Sequence, residues 1–399
     1  MSMTTFALVL GAVVCLWSAV LLVFARPLVA RWREPVFRFP ILGIESDDWG
    51  AGPLEQAPVL HRLVDVLAGV HDCSGRHAVM TLGVILEVPD GARIAAGGYR
   101  DYYAIELDDP RFEAVREAMR AGIAAGVFVP QLHGQCHYWP STVLAAAHQD
   151  EQVRDWLAGA EPAATEALPS ALQSRWVDAA SLPSRDLPQR DIQAAVAVEA
   201  SAYRRVFGTA PQVAVATTFV WNDTVEAAWA VAGVDAIVTP GRRATCRTDT
   251  GAPGCVDATM LTGMQSAAGP LYLVRDVYFE PALGHAPQRL VEGLRQRSRQ
   301  GRPCLVETHR FNFLQAGESA VTALDAGLRG ALAALPSLRF VAPVDIARVL
   351  RSHDPAWLEH RLHPRLVAWA ARLEEIPRFR RVATLTGLAL PLALIGGRA

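Results

Sequence analysis

Residues 5–25 run through Leu, Val, Ala, Phe and Trp without one charged side chain, and Arg26, Arg31 and Arg33 follow at once. About 20 apolar residues cover the hydrocarbon core of a bilayer, so this pattern predicts an N-terminal transmembrane anchor within residues 1–33. After it the hydrophobic period changes. Short apolar runs at 39–46, 78–86, 127–132, 212–217, 234–239, 270–274, 303–308 and 338–342 have the length of buried strands. Amphipathic stretches at 54–70, 110–126 and 191–207 alternate with them at helical period. Eight strands alternating with helices predict an α/β chain folded as a distorted seven- or eight-stranded (β/α) barrel over residues 34–344. The Ala-rich stretch 141–190 is too long for a structureless loop and is expected to form a helical insertion or lid.

The C-terminal part, 345–399, has its own pattern. Trp357, Leu358, Leu362, Leu366, Trp369 and Leu373 are interspersed with Arg and His over 345–381. That suits a helix lying on a membrane, and equally an amphipathic helix covering the barrel. Residues 382–397 are uncharged, contain Pro391 and are short for a full span, so they cross, re-enter or lie in the interface. With Arg378, Arg380 and Arg381 before them and three arginines after the first apolar segment, the positive-inside rule predicts an inner-membrane protein with a cytoplasmic-facing catalytic domain.

Composition narrows the chemistry. The 38 basic residues are all Arg against 40 acidic ones, for a net charge of −2, which leaves no nucleic-acid footprint. The absence of Lys excludes Schiff-base catalysis and a P-loop. Six cysteines form no framework, although Cys246 and Cys255 bracket a Gly/Pro loop and can pair in an oxidising compartment. Cys136, between two histidines, is read as packing.

Three strand-like runs end in groups able to do chemistry. Ile41-Leu42-Gly43-Ile44-Glu45-Ser46 leads into Asp47-Asp48-Trp49-Gly50; Val127-Phe128-Val129-Pro130-Gln131-Leu132 into His133-Gly134-Gln135-Cys136-His137; and Pro303-Cys304-Leu305-Val306-Glu307-Thr308 into His309. Carboxyl ends of strands are where α/β barrels collect catalytic residues. Each signal alone has a plain alternative: a helix N-cap for the Asp pair, an incidental spacing for His-x-x-x-His. Together they form a set that chance explains poorly.

These motifs resemble those of the NodB-homology polysaccharide deacetylases, in the wider glycoside hydrolase/deacetylase barrel superfamily, over about residues 38–350. The resemblance implies Asp47 as general base, Asp48, His133 and His137 as metal ligands, and His309 as general acid. Two neutral imidazoles and a carboxylate leave open positions on a divalent ion, expected to be zinc, where water and a substrate carbonyl meet. The expected partners are an amino-sugar-containing glycan or lipid-linked saccharide, and the membrane.

Two stretches depart from the family pattern. Where an Arg-x-Pro-Tyr-Gly segment is usual, this chain has Ala216-Thr217-Thr218-Phe219-Val220-Trp221, and Arg275-Asp276 at another strand end is expected to pair with Asp47 or a ligand histidine instead. Trp49, Tyr138 and Trp221 are expected as aromatic walls for a sugar ring, and Asn312 near the substrate. Three functions compete: removal of an N-acetyl or N-formyl group, glycosidic cleavage by Asp47 with Glu307 or Asp276, and saccharide binding without turnover.

Overall fold

The structure, a computed structural model, describes residues 3–159 and 164–396. The apolar runs correspond to β1 (Ile41–Gly50), β2 (Met80–Ile85), β3 (Phe128–Leu132), β4 (Val213–Val215), β5 (Ala236–Thr239), β6 (Leu271–Val274), β8 (Pro303–His309) and β9 (Arg339–Phe340), and a short further strand, β7 (Val277–Tyr278), lies outside them. They pair in parallel in the order β6-β5-β4-β3-β2-β1-β8-β7, with β9 also on β1. β6 and β7 are successive pieces of one stretch, 271–278. Its first half pairs with β5 and its second with β8, so the sheet curls until a single stretch meets both of its edges. The result is a distorted α/β barrel, and Arg275-Asp276 occupies the point where that stretch changes partners.

The two faces of the sheet bury different things. Outward-facing Leu42, Ile44, Leu82 and Val306 pack under the helices α3 (Gln56–Ala68), α4 (Glu113–Ala124), α5 (Gln189–Phe207), α6 (Asp223–Ala232), α7 (Gln288–Arg299), α8 (Arg310–Gln315) and α9 (Glu318–Ala334). Inward-facing Ile41, Val213, Val215, Val238, Leu273 and Leu305 form a second apolar cluster that α10 (Pro343–Ser352) closes from below with Ile346, Ala347 and Leu350. Continuing up the same inward positions, the side chains become polar: Glu45, Gln131, Arg275 and Glu307, each at most 3% exposed. The barrel is therefore apolar and sealed at its foot and charged at its mouth.

The 141–190 stretch contains the helices Pro140–Ala147 and Glu151–Leu157, two 3₁₀ turns, and a small ladder of Val177–Asp178 with Arg185–Asp186. At the other end of the barrel, α1 (Met3–Val23) is long and apolar enough to cross a membrane and almost wholly unburied. It runs into α2 (Ala25–Arg33). In place of one long surface helix, 345–396 breaks into α10, α11 (Leu362–Leu373), α12 (Pro377–Leu385) and α13 (Ala389–Ile395). Pro364 and Pro377 stand at or near two of the starts, where a missing N–H costs nothing. The last three helices pack on α1 and α2 through Val20, Leu28, Leu373, Phe379, Ala383 and Leu388.

Candidate active site

A β-bulge builds the centre of the site. β1 and β2 pair in step up to Ser46 opposite Leu82, and resume at Trp49 opposite Val84. Asp47 and Asp48 thus face one residue, Gly83, and two neighbours that would otherwise point to opposite sides of the sheet both reach one cavity. Asp48 adopts φ +74°, uncommon for a residue with a side chain. A Cβ on Gly83 would lie 2.3 Å from Asp47 Oδ1, so only glycine leaves room for the bulge.

His133 follows β3 directly and His137 comes from the turn after Gly134, whose φ is +114°. Their Nε2 atoms lie 3.4 and 3.5 Å from Asp48 Oδ1. Two ligands bound at about 2.05 Å to one tetrahedral ion stand about 3.3 Å apart, so the spacing matches a shared ion. His133 Nδ1 hydrogen-bonds Val215 O at 3.1 Å, which turns its Nε2 lone pair to that point. Asp48 Oδ1 is buried with no hydrogen-bond partner, as a ligand oxygen would be. Burial, outweighing the Asp48 carboxylate, pushes His137 down to about 4, the neutral form a metal requires. Burial would raise the Asp48 carboxyl, but both histidines hold it well below the usual range. These residues fit a divalent ion.

Beside them, the buried Arg275 guanidinium holds three carboxylates. It grips Asp47 by two hydrogen bonds, 2.6 Å to Oδ2 and 3.2 Å to Oδ1. Glu307 lies 3.2 Å from its Nε and Glu45 3.7 Å from its Nη1. Burial raises all three acids, yet Arg275 and the nearby histidines carry only Asp47 below its ordinary value. Glu45 is pushed up to about 7 and Glu307 is also raised. Of the three, Asp47 is the carboxyl whose ionised form Arg275 favours most.

Beside Asp47, on the neighbouring strand β8, His309 Nδ1 lies 2.7 Å from Glu280 Oε1, and Asn312 donates its amide to the other Glu280 oxygen. Burial would depress the imidazole, but Glu280, Asp48 and Asp47 together raise it to about 10. One cavity of about 280 Å³ joins all five groups, with Glu166 of the insertion, Phe219 and Phe311 on its walls. Thr218 and Phe219 have φ of +52° and +56°, and the Phe219 ring lies 5.4 Å from the Arg275 guanidinium carbon.

Of the remaining expected residues, several lie elsewhere. Trp49 is fully buried, its indole donating to Ser46 Oγ and its ring against Phe313. Trp221 donates to Glu226, and Tyr138 pairs with the Tyr102 hydroxyl. Their large rings fill core space, and each buried N–H or O–H has found a partner there. The aromatic walls are Phe219 and Phe311 instead. Asp276 turns to Arg297 on α7 at 2.9 Å. The strand alternation that sends Arg275 inward sends its neighbour out. Asn312 acts through Glu280 and does not line the cavity. Cys136 is buried against Arg175 and Tyr138 O. With Asp276 outside and Asp47 and Glu307 held side by side on one guanidinium, neither carboxylate pair expected for glycosidic cleavage faces across the cavity. Glu280 was not singled out from the sequence, although its place after the apolar Val277-Tyr278-Phe279 was a usable signal.

No family model and no curated protein matches the sequence. Among solved structures, a family 4 carbohydrate esterase from Streptomyces lividans in complex with acetate aligns at 13% identity over 75% of this chain and 90% of its own, with a TM-score of 0.35. The Xyl-CE4 domain of a multidomain xylanase from the hindgut metagenome of Trinervitermes trinervoides aligns at 9% identity over 81% and 96%, TM-score 0.33. A 4-alpha-glucanotransferase from Thermococcus litoralis aligns at 9% identity over 79% and 40%, TM-score 0.39. Superpositions this loose decide no chemistry, and the distances within the cavity have to do so. At this level the chain is similar to carbohydrate esterases and other carbohydrate-active enzymes.

Proposed function

We propose that the protein is a metal-dependent hydrolase that removes an N-acyl group, acetyl or formyl, from an amino sugar. The observation that carries this is the joint presence in one cavity of the Asp48–His133–His137 cluster, Asp47 gripped by Arg275, and His309 held by Glu280. A zinc ion held by the cluster supplies Lewis acidity to an amide carbonyl and lowers the pKa of water. Asp47, fixed by Arg275, takes the proton of the attacking water. His309, held by Glu280, gives its proton to the nitrogen as the C–N bond breaks. Carboxylic acid and free amine leave, and no covalent enzyme adduct is needed. Asp48→Ala and His133→Ala are expected to abolish release of acetate and formate from N-acyl amino-sugar oligomers and to lose stoichiometric zinc. Full turnover in either variant refutes the assignment.

In this reading α1 anchors the enzyme in a membrane. The side is read from the cysteines: Cys246 and Cys255 are paired across the hairpin formed by Arg242–Arg247 and Pro253–Thr259. Such bonds persist in oxidising compartments, which favours an extracytoplasmic domain over the cytoplasmic one that the arginines suggest. In intact cells, an impermeant thiol reagent applied after reduction should label Cys246 and Cys255; labelling only after lysis places the domain inside.

A further inference from the structure

The membrane anchor and the catalytic cavity lie at opposite ends of the barrel. The cavity is built on the carboxyl ends of β1, β3 and β8. The anchor meets the amino ends. Arg372 of α11, fully buried, donates to the carbonyls of Gln300, Arg31, Glu34 and Pro35, which joins α11, α2 and the foot of β8. Arg302, at that foot, pairs with Glu34 and Glu375. A joint made of buried charges and filled carbonyls is a rigid one, and α10 closes the foot of the barrel beneath the site with Ile346, Ala347 and Leu350.

The height follows from strand geometry. His309 stands seven residues beyond Arg302. At about 3.3 Å per residue and a barrel tilt of about 36°, that places the mouth about 19 Å from the joint along the barrel axis, and with this axis set along the membrane normal the same distance is the mouth's height. The headgroup layer extends only about 5–8 Å beyond the hydrocarbon. A sugar attached directly to a lipid phosphate keeps its acyl group within that layer.

Resting on the deacylase reading and on α1 as anchor, we propose that the enzyme acts on amino-sugar polymers standing clear of the membrane and excludes sugars linked directly to lipid in the bilayer that holds it. The anchor sets the height at which the glycan is met. Of the two expected saccharide partners, the structure thus favours the glycan.

The test uses the full chain loaded with zinc in phospholipid vesicles. It receives a soluble N-acetyl amino-sugar tetramer, or the same sugar as the headgroup of a lipid in those vesicles or in detergent micelles. The tetramer and the micellar lipid should be hydrolysed, and the vesicle lipid at least tenfold more slowly than in micelles. Equal rates in vesicles and micelles overturn the proposal. If none of the three is hydrolysed, the deacylase reading fails, and orientation is then decided alone by energy transfer to acceptor lipids. In a Cys15→Ser, Cys73→Ser background, a dye on Leu283→Cys, beside Glu280 at the mouth, should transfer weakly, and one on Leu385→Cys of α12 strongly. Equal transfer from the two, or a chain that does not float with vesicles, overturns the proposal.

Discussion

Asp47 and His309 show how burial divides protons among residues of one cavity. Both are removed from water, yet Arg275 keeps the carboxylate ionised while Glu280 keeps the imidazole charged. Under the proposed mechanism the acidic limb of the pH–rate profile is expected to report Asp47 and the basic limb His309. Since Glu280 raises His309, replacing it lowers that pKa, and the protonated acid is lost earlier as pH rises. Glu280→Gln is expected to move the basic limb of kcat/KM to lower pH by about one to three units, the usual effect of one adjacent opposite charge. A bound divalent ion lowers the limb in wild type and variant alike, so the sign of the difference stands. An unmoved basic limb would assign it to another group.

Among the elements, the bulge in β1 decides whether the site exists at all. A regular strand would turn Asp47 and Asp48 to opposite faces, and the proposed metal ligand and the proposed base would be separated by the sheet. The bulge requires space opposite it, which Gly83 provides. Gly83→Ala places a methyl against Asp47 Oδ1, and the β1–β2 register around it has to shift. Misplacement by about 1 Å costs about 100-fold in rate, so kcat should fall by about that much while far-UV dichroism stays native. A Gly83→Ala enzyme of normal kcat would show that the bulge does not set the geometry. The insertion contributes at the same scale: Glu166 meets the buried Arg310 at 3.0 Å and so ties the cavity wall to the residue after His309.

For the whole molecule, the consequential contact is the joint between the N-terminal helices and the barrel. Arg372 fills four carbonyls, those of Gln300 and Glu34 in buried hydrogen bonds, and its removal leaves these two without a partner. Arg372→Ala should destabilise the protein by about 3 kcal/mol, measured by chemical denaturation of the detergent-solubilised chain. It should also release the barrel from its fixed height and narrow the difference between vesicle and micelle rates. A variant of unchanged stability would mean that the joint is held by the apolar contacts of Val20, Phe379 and Leu388.

Much of this was legible along the chain because it depends on local pattern. The apolar runs marked the strands, since a buried strand needs side chains suited to both of its faces, and the strand-end Asp47-Asp48, His133-x-x-x-His137 and His309 marked the mouth. Long-range placement was not legible. Trp49, Tyr138 and Trp221 have the chemistry of a sugar-binding wall, but cores use the same rings, and only packing separates the two uses. Arg275 and Asp276 are adjacent in sequence and diverge in space because the strand alternates. Glu280 meets His309 from 29 residues away, and Arg372 reaches Glu34 across 338. The sequence by itself determined the elements and the reactive side chains, which follow from periodicity and residue type. Only the tertiary structure decided which of those side chains share a cavity and which end of the barrel the N-terminal helices pack on, because both depend on how distant segments close on one another.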